Sequence, residues 1–483
     1  MTAPNESMHT HAVQPRAPSR LPAWCFLAAL LLLAGLVVVD RFVLRSALLT
    51  PFRGTPAASP LYAFWNPIVR PEALVFVLGA ALVAVLAPRL AEPERASRTR
   101  FLAALAACAV LLPLALFLVR QDLGELGAQF TIYRDEEFWF DALRIPLMSD
   151  AQGRSGVPVF LAHYVEVMPR LSLHGQHFPP VHALFLRAVA SASGDSLQAA
   201  GSAVLAAAAL GVIAAYGALR ELLDERAARQ GALFLVALPP YLDFACTSMD
   251  AVFFLGSSLA LWAALRALRA DARLVSALVA GLAFALAALA SFAVLPLGLV
   301  VALYAVVLVV RRDRAPAPVA RALLGLAVGF VAGLGLVWLA TGFAWWTCLL
   351  HARESGLALM TRVLKGPPSS RWLELSFGNA AAFAVGVGVA AAALGLARLV
   401  PPARRVPGRA YESWTIAVGL AFLALAFGGL FFLETERIWL FLLPPLVGAS
   451  LSRGGVTRGG LSTLLGTSFL YALTLEALLF TLW

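Results

Sequence analysis

The chain has 483 residues, of which 61% are hydrophobic and 13% are charged, and its mean hydropathy is +0.83. This composition excludes a soluble globular protein and predicts an all-α, polytopic integral membrane protein. The net charge of +10 is mostly the positive-inside bias of a membrane protein and does not indicate nucleic-acid binding.

About thirteen apolar segments are predicted to cross the membrane. The first, Leu21–Val39, is interpreted as a retained helix, because the apolar run is too long for a signal sequence and no small-residue cleavage pattern follows. The others are Ala73–Ala87, Phe101–Val119, Leu197–Ala218, Gly231–Ala245, Ala251–Leu268, Val275–Ala290, Phe292–Val310, Val319–Ala340, Phe377–Leu396, Trp414–Phe432, Ile438–Ser450 and Leu461–Leu482. The short stretch Pro180–Ala192 is predicted to be an interfacial or re-entrant helix.

Arginine-rich loops determine the predicted orientation. With residues 1–20 as a cytoplasmic tail, the cytoplasmic loops are Arg89–Arg100, Arg220–Arg229, Arg266–Arg273, Arg311–Arg321, Arg398–Arg409 and Arg453–Arg458. The periplasmic segments are then Asp40–Pro71, a large loop at residues 120–196, Thr247–Asp250, a second loop at residues 341–376, and Glu434–Arg437. Residues 1–483 are interpreted as one transmembrane domain in a bacterial inner membrane.

Three consecutive carboxylates interrupt the large periplasmic loop. Asp135, Glu136 and Glu137 precede Trp139, an aromatic residue suited to the membrane interface. Adjacent like charges favour a shared proton or a bound cation. One carboxylate beside an acceptor hydroxyl is what general-base catalysis of glycosyl transfer requires. The alternative interpretation is a solvated acidic turn that begins a helix.

The same loop ends in a stretch rich in histidine and proline, His174-Gly175-Gln176-His177-Phe178-Pro179-Pro180-Val181-His182. The prolines restrict the backbone before the short apolar helix, and the histidines, His177 in particular, are candidate substrate contacts. Their spacing matches no standard zinc motif. A proline-started interfacial helix with surface histidines is the alternative.

Further candidate substrate contacts on this side, besides Glu137 and His177, are Asp250, His351, Arg353, Lys365, Glu434 and Arg437. Asp250 begins a helix, where the dipole favours a carboxylate, and a contact to a substrate hydroxyl is the functional alternative. The cations of residues 341–376 stand beside tryptophans, so they either bind a phosphate, cover a groove, or belong to a plain surface helix. Arg437 either pairs with Glu434 or Glu436, or faces a phosphate.

An acidic pair in the first large outer loop, an H-x-P-P stretch ending it and a late outer E-x-E-R turn resemble the GT-C superfamily. These multi-span glycosyltransferases take sugars from polyprenyl-phosphate carriers, and they include protein O-mannosyltransferases, aminoarabinose transferases of lipid A, and bacterial mannosyl- and arabinosyltransferases. The resemblance implies that Asp135, with Glu136 adjacent, is catalytic, that residues 177–180 line the site, and that Arg437 lies near the carrier phosphate. The chain departs from the family pattern because its acidic loop follows the third predicted span and not the first.

The resemblance implies an inverting glycosyltransferase at the periplasmic face, a hexosyl- or pentosyltransferase such as a mannosyltransferase. Its donor would be a polyprenyl-phosphate-linked sugar, and its acceptor a glycan, lipid or protein. The sequence contains no phosphate-cradling glycine loop, in agreement with a donor that carries no nucleotide. No cofactor is required, although carboxylates and histidine are suitable ligands for Mg²⁺, Mn²⁺ or Zn²⁺.

Two other functions compete with the enzyme. A secondary transporter or lipid flippase would need ionisable residues at mid-span and paired, broken half-helices, whereas the candidate residues here cluster at one face. A non-enzymatic scaffold would use the outer loops to bind partners. The clustering argues against the transporter, and the enzyme is the preferred interpretation over both.

Overall fold

The computed structural model describes residues 21, 23–39, 61, 63–132, 137–399, 410–429, 431 and 435–481. The helices are α1 (Ala23–Val38), α2 (Ala73–Leu90), α3 (Arg98–Phe117), α4 (Phe138–Arg144), α5 (Val157–Ala162), α6 (Tyr164–Val167), α7 (Val181–Ser193), α8 (Leu197–Leu222), α9 (Glu225–Val236), α10 (Pro239–Phe244), α11 (Asp250–Ala267), α12 (Leu274–Ala288), α13 (Val294–Val310), α14 (Pro316–Thr341), α15 (Trp345–Leu364), α16 (Trp372–Leu399), α17 (Ala410–Phe427), α18 (Thr435–Ile438), α19 (Leu443–Leu451) and α20 (Arg458–Leu478). Six 3₁₀ turns lie between them, at Leu123–Glu125, Ala128–Thr131, Ile145–Leu147, Met168–Arg170, Pro368–Arg371 and Trp439–Leu442.

The described residues confirm the prediction of an all-α, polytopic membrane protein. By length and composition, seven helical segments are able to cross a membrane: Ala73–Leu90, Arg98–Phe117, Leu197–Leu222, Asp250–Ala267, Pro316–Thr341, Pro368–Leu399 and Arg458–Leu478. Six shorter apolar helical segments accompany them, at Ala23–Val38, Val181–Ser193, Leu274–Ala288, Val294–Val310, Glu412–Phe427 and Trp439–Leu451. The predicted span Gly231–Ala245 is divided between α9 and α10, because Pro239 and Pro240 have no backbone N–H to continue a helix.

Salt bridges join several arginine-rich loops at one end of the bundle. Glu92, in the loop between α2 and α3, accepts from Arg458 at the start of α20 and lies 3.9 Å from Arg226. Glu221, at the end of α8, pairs with Arg269 at 3.2 Å. These contacts bring four of the arginine-rich loops together at one end of the bundle.

The opposite end of the bundle carries the short strands β1 (Ala63–Trp65) and β2 (Leu479–Thr481), which pair antiparallel with Phe64 opposite Phe480. Arg70, before α2, donates to Asp122 after α3 at 2.7 Å. The C-termini of α3 and α20 therefore meet the start of α2 at this end. Arg120, Gln121 and Thr247, from two of the segments predicted to be periplasmic, lie beside Phe480 at this end.

A backbone break divides α16. Gly388 has a φ of 84°, a left-handed value that only glycine adopts readily, and a Cβ atom there would lie 2.6 Å from the ring of Tyr471. The Tyr471 hydroxyl donates to the carbonyl of Val385 at 2.9 Å. The break thus lets α20 pack closely against α16.

Candidate active site

The loop that leads to the acidic motif packs closely against the start of α8. Gly127 has a φ of 88°, and a Cβ atom there would lie 2.1 Å from the carbonyl oxygen of Leu197. The side-chain amide of Gln129 donates to the side-chain oxygen of Gln121 at 2.5 Å, which closes this segment on itself. Of the predicted site residues, Asp135, Glu136 and Glu434 lie outside the described part of the chain.

Glu137 is the first described residue of the motif, and it is buried, with 7% of its surface exposed. It precedes α4 as the N-cap residue, and its carboxylate lies 3.6 Å from Nδ1 of His174. The ring of Phe138 stacks on His174 with 5.7 Å between centroids. Glu137 is therefore joined to the histidine-rich stretch and points into the protein.

Asp141 in α4 holds the histidine-rich stretch in place, a role that the sequence did not reveal. It is fully buried and accepts from the backbone N–H of Ser172 at 3.0 Å and from the Ser172 hydroxyl at 2.5 Å. Ser172 Oγ in turn accepts from the N–H of Gly175 at 3.1 Å. Burial raises the pKa of Asp141 above its ordinary value, and the hydrogen bonds from Ser172 partly oppose that rise.

His177 lies beneath α15, the long helix of the second outer loop. Its Nδ1 donates to the carbonyl of Leu173 at 2.6 Å, and its ring would contact a Cβ atom placed on Gly356 at 3.6 Å. Burial lowers the pKa of His177, and the neighbouring His351 acts in the same direction. The structure thus brings His177 and His351 together.

Arg353 and Lys365 are both exposed on α15, Arg353 in its middle and Lys365 just past its end. At the rise of an α-helix they stand about 18 Å apart, so a single phosphate cannot bridge them. Trp345 and Cys348 anchor α15 to the bundle. The indole N–H of Trp345 donates to the carbonyl of Ala288 at 2.7 Å. The thiol of Cys348 is buried and lies 3.6 Å from the sulfur of Met168.

Arg437 forms a buried ion pair with Asp250. The guanidinium Nη1 lies 2.9 Å from the Asp250 carboxylate, and the two residues are 6% and 3% exposed. Ser248 joins both, since its hydroxyl donates to Asp250 at 2.9 Å and lies 3.4 Å from Nη1 of Arg437. Asp250 is also the first residue of α11, as predicted, so the helix dipole and the arginine both stabilise its charge. Asp250 was not among the partners that the sequence suggested for Arg437.

His182, in the first turn of α7, lies between the Glu137–His174 pair and the Arg437–Asp250 pair. It is fully buried, its ring packs 5.0 Å from that of Phe138, and it interacts electrostatically with Asp250, His174 and Arg437. Neither ring nitrogen has a hydrogen-bond partner among the described residues. The backbone N–H of Val181 donates to the carbonyl of Leu289 at 3.2 Å, which fixes the start of α7 at the end of α12.

The arrangement joins a carboxylate–imidazole pair and an arginine–carboxylate pair through one buried histidine. Such a site can hold a substrate phosphate by the guanidinium and orient hydroxyl groups by the carboxylates. Among the residues that the structure describes, no group of three or more His, Cys, Asp or Glu side chains is arranged to hold a metal ion.

Residues 177–338, about a third of the chain, match the family model described as dolichyl-phosphate-mannose-protein mannosyltransferase. The match begins at His177 and includes α7 through most of α14. It therefore contains Asp250, whereas the acidic motif and Arg437 lie outside it. No curated protein matches the chain significantly.

Three solved structures are similar to parts of the chain. ArnT from Cupriavidus metallidurans bound to undecaprenyl phosphate is 17% identical, with 69% of this chain and 75% of that chain covered, at a TM-score of 0.30. The same protein in the apo state is 18% identical, with 71% and 75% covered, at a TM-score of 0.32. The Archaeoglobus fulgidus oligosaccharyltransferase in complex with Zn and sulfate is 14% identical, with 62% and 45% covered, at a TM-score of 0.31. TM-scores below 0.5 do not establish a shared fold, so the family match remains the informative comparison.

Proposed function

We propose that this chain is a membrane glycosyltransferase of the GT-C superfamily, and that it moves a sugar from a polyprenyl-phosphate carrier to a periplasmic acceptor with inversion at the anomeric carbon. The observation that carries the proposal is the pairing of a buried arginine with a carboxylate beside the histidine-rich stretch that follows the acidic motif. The family match over residues 177–338 supports the reaction class. The description of that family names dolichyl-phosphate-mannose, which suggests a polyprenyl-phosphate carrier.

In the proposed reaction, Asp135 or Glu136 takes the proton of the acceptor hydroxyl. The freed oxygen attacks the anomeric carbon from the side opposite the phosphate, and the bond between that carbon and the phosphate oxygen breaks. The lipid phosphate leaves with the electron pair of the broken bond. Arg437 stabilises the charge that develops on it, and Arg353 or Lys365 is a second candidate for this task.

Asp250 positions Arg437 for this role. A guanidinium in a buried site needs a counter-charge, and its ion pair with Asp250 supplies one before the donor binds. Ser248 restricts the orientation further. The phosphate would then meet a guanidinium whose plane is already set, which lowers the entropy cost of binding.

His177, His351 and Glu137 would contact the sugar or acceptor beneath α15. The acceptor is a glycan, lipid or protein, and the sugar is a hexose or pentose. If a divalent cation takes part, Glu137 and His174, which lie 3.6 Å apart, would supply two of its ligands, and the described residues group no third His, Cys, Asp or Glu with them. Such a cation would neutralise charge on the leaving phosphate. The site would face the periplasm, with residues 1–20 in the cytoplasm.

The direct test replaces Asp135 by Asn in the full-length protein, purified in detergent. Transfer is followed with undecaprenyl phosphate bearing radiolabelled mannose, glucose or arabinose, and membranes from cells lacking the protein supply the acceptor. We expect loss of transfer by about 100-fold or more, because a general base contributes roughly 10²–10⁴-fold. Glu166→Gln is a matched control, since that carboxylate is exposed in the same loop and pairs only locally with His163 at 2.9 Å.

A wild-type transfer rate in the Asp135→Asn protein would remove Asp135 from the mechanism. Glu136→Asn, made in parallel, distinguishes the two neighbouring acids. Reporter fusions that placed Asp135 and Arg437 on opposite sides of the membrane would contradict the whole scheme.

A further inference from the structure

A second polar cavity lies between α3, α10 and α20, outside the site described above. It is formed at the end of the bundle where β1 and β2 pair. Its lining residues combine one guanidinium, two carboxylates, one amide and one hydroxyl with aromatic side chains: Leu116, Phe117, Arg120, Gln121, Leu242, Asp243, Cys246, Thr247, Glu476 and Phe480. The space inside admits groups about the size of a water molecule.

Two polar atoms on this cavity lack the partners that buried groups normally have. Oδ1 of Asp243 is buried and has no hydrogen-bond partner within the described parts of the chain. The same is true of Nη2 of Arg120. Arg120 itself is held in place, because its Nη1 donates to the carbonyls of Glu476 at 2.8 Å and Leu479 at 3.0 Å. The unpaired N–H of Arg120 therefore belongs to a guanidinium whose position is fixed.

The cavity adjoins both halves of the proposed active site. On one side, Gln121 accepts the hydrogen bond from Gln129, in the segment that leads to Asp135. On the other side, Thr247, whose hydroxyl donates to the carbonyl of Asp243 at 2.8 Å, is the neighbour in sequence of Ser248, which contacts Arg437. The cavity is thus connected to the proposed active site through the Gln121–Gln129 hydrogen bond and through the Thr247–Ser248 turn.

We propose that this cavity binds a hydroxyl or hydroxymethyl group of a sugar ring that occupies the adjoining active site. This inference rests on the proposed function. Oδ1 of Asp243 would accept from the hydroxyl, Nη2 of Arg120 would donate to its oxygen, and Glu476 would lie beside them. A hydroxyl group is both donor and acceptor, and so it matches a space that a carboxylate and a guanidinium share.

The cavity carries charged groups of both signs, so neither a metal cation nor an inorganic anion would meet only opposite charge there. A neutral hydroxyl meets no such repulsion. The ring that carries it belongs either to the donor or to the acceptor, and the two sources require separate measurements.

The donor arm measures binding of undecaprenyl phosphate with and without a linked sugar to the detergent-solubilised full chain, by native mass spectrometry. The probes carry mannose, glucose or arabinose. We expect at least one linked sugar to tighten binding, and Asp243→Ala to reduce that gain about 10-fold while leaving the affinity for bare undecaprenyl phosphate unchanged. Glu476→Gln should act in the same direction. Asp122→Ala is the control, because that exposed carboxylate is next to Gln121 and pairs with Arg70.

The acceptor arm measures the thermal stabilisation of the same proteins by methyl glycosides at millimolar concentration. Loss of this stabilisation in Asp243→Ala, with the donor gain intact, assigns the cavity to the acceptor. If Asp243→Ala and Glu476→Gln change neither readout and alter only the melting temperature, the two carboxylates are structural and the proposal is wrong. Failure of the wild type to bind undecaprenyl phosphate would contradict the proposed function, while the methyl glycosides would still test the cavity.

Discussion

The buried pair of Arg437 and Asp250 makes a quantitative prediction. Replacing Arg437 by Met removes the guanidinium but keeps much of the side-chain volume, and leaves the Asp250 carboxylate buried without its cation. At 2.9 Å and an effective dielectric constant of about 20, the attraction between the two charges is about 6 kcal/mol. Most of this attraction offsets the cost of removing both charges from water.

Removing one partner exposes that desolvation cost. We therefore expect Arg437→Met to lower the free energy of unfolding by about 3–5 kcal/mol, and Asp250→Asn to lower it by a similar amount. In the double variant both charges are gone, so its loss should be smaller than the sum of the single losses by about 2–3 kcal/mol. Arg437→Lys keeps the charge without the planar fork, and its loss should be smaller than that of Arg437→Met.

The measurement is unfolding by SDS titration in mixed micelles, followed by tryptophan fluorescence, together with binding of undecaprenyl phosphate. The stability data test the ion pair, and the lipid data test the proposed phosphate contact. Additive losses in the double variant would show that the two side chains do not interact as the structure has them. Unchanged lipid affinity in Arg437→Met, with the ion-pair coupling intact, would refute the phosphate role alone.

Three further predictions concern the scaffold of the site. Gly127→Ala should lower both stability and transfer activity, because a Cβ atom 2.1 Å from the Leu197 oxygen forces the loop before the acidic motif off α8, and thermal unfolding with the transfer assay checks both. The melting temperature of Asp141→Asn should rise relative to that of the wild type as the pH increases from about 4 to 7. The pKa of Asp141 is raised in the folded state, so the wild type loses stability as the pH rises from the ordinary aspartate pKa through the folded value. The amide of the variant does not titrate and has no such loss. Gly388→Ala should lower the melting temperature, because it combines a left-handed backbone with a contact of 2.6 Å to Tyr471.

Two glycines provide matched controls for these variants. Gly124 lies in the same loop as Gly127, and a Cβ atom there would meet only a side-chain nitrogen at 3.9 Å. Gly395 shares α16 with Gly388 and has open space around it. Alanine at either control position should leave unfolding and transfer nearly unchanged, and equal losses in the controls would contradict the steric argument. A pH dependence of Asp141→Asn parallel to that of the wild type would contradict the titration argument.

The apolar segments could be predicted because each carries its own signal. A run such as Ala251–Leu268 is long enough to identify a helix without any knowledge of its neighbours, and the structure places α11 at Asp250–Ala267. The division of Gly231–Ala245 also has a local cause, in Pro239 and Pro240. The predicted gathering of polar segments on one side of the membrane rests on loop charges alone and stays a prediction.

The partners within the site could not be predicted, because they depend on tertiary packing. Arg437 meets Ser248 across 189 residues of sequence, while acidic residues adjacent in sequence seemed the natural partners. Asp141 stands in a short helix beside Phe140 and Ala142, and nothing in that sequence indicates that it accepts two hydrogen bonds from Ser172. The one available signal was the position of the Asp141 carboxylate among aromatic and apolar residues. Such residues are mostly buried, so the carboxylate beside them was a candidate for burial.

Two outer elements share their anchor at the C-terminus of α12. A helix leaves its last carbonyls without partners inside the helix, and here those of Ala288 and Leu289 accept from Trp345 of α15 and from Val181 of α7. Helix α15, which covers His177, and helix α7, which carries His182, are therefore both attached to the last turn of α12. Chimeras of this chain with a related protein should exchange α7, the end of α12 and α15 as one unit, since a single-residue insertion after Ala285 would rotate both attachment points about 100° around the helix axis.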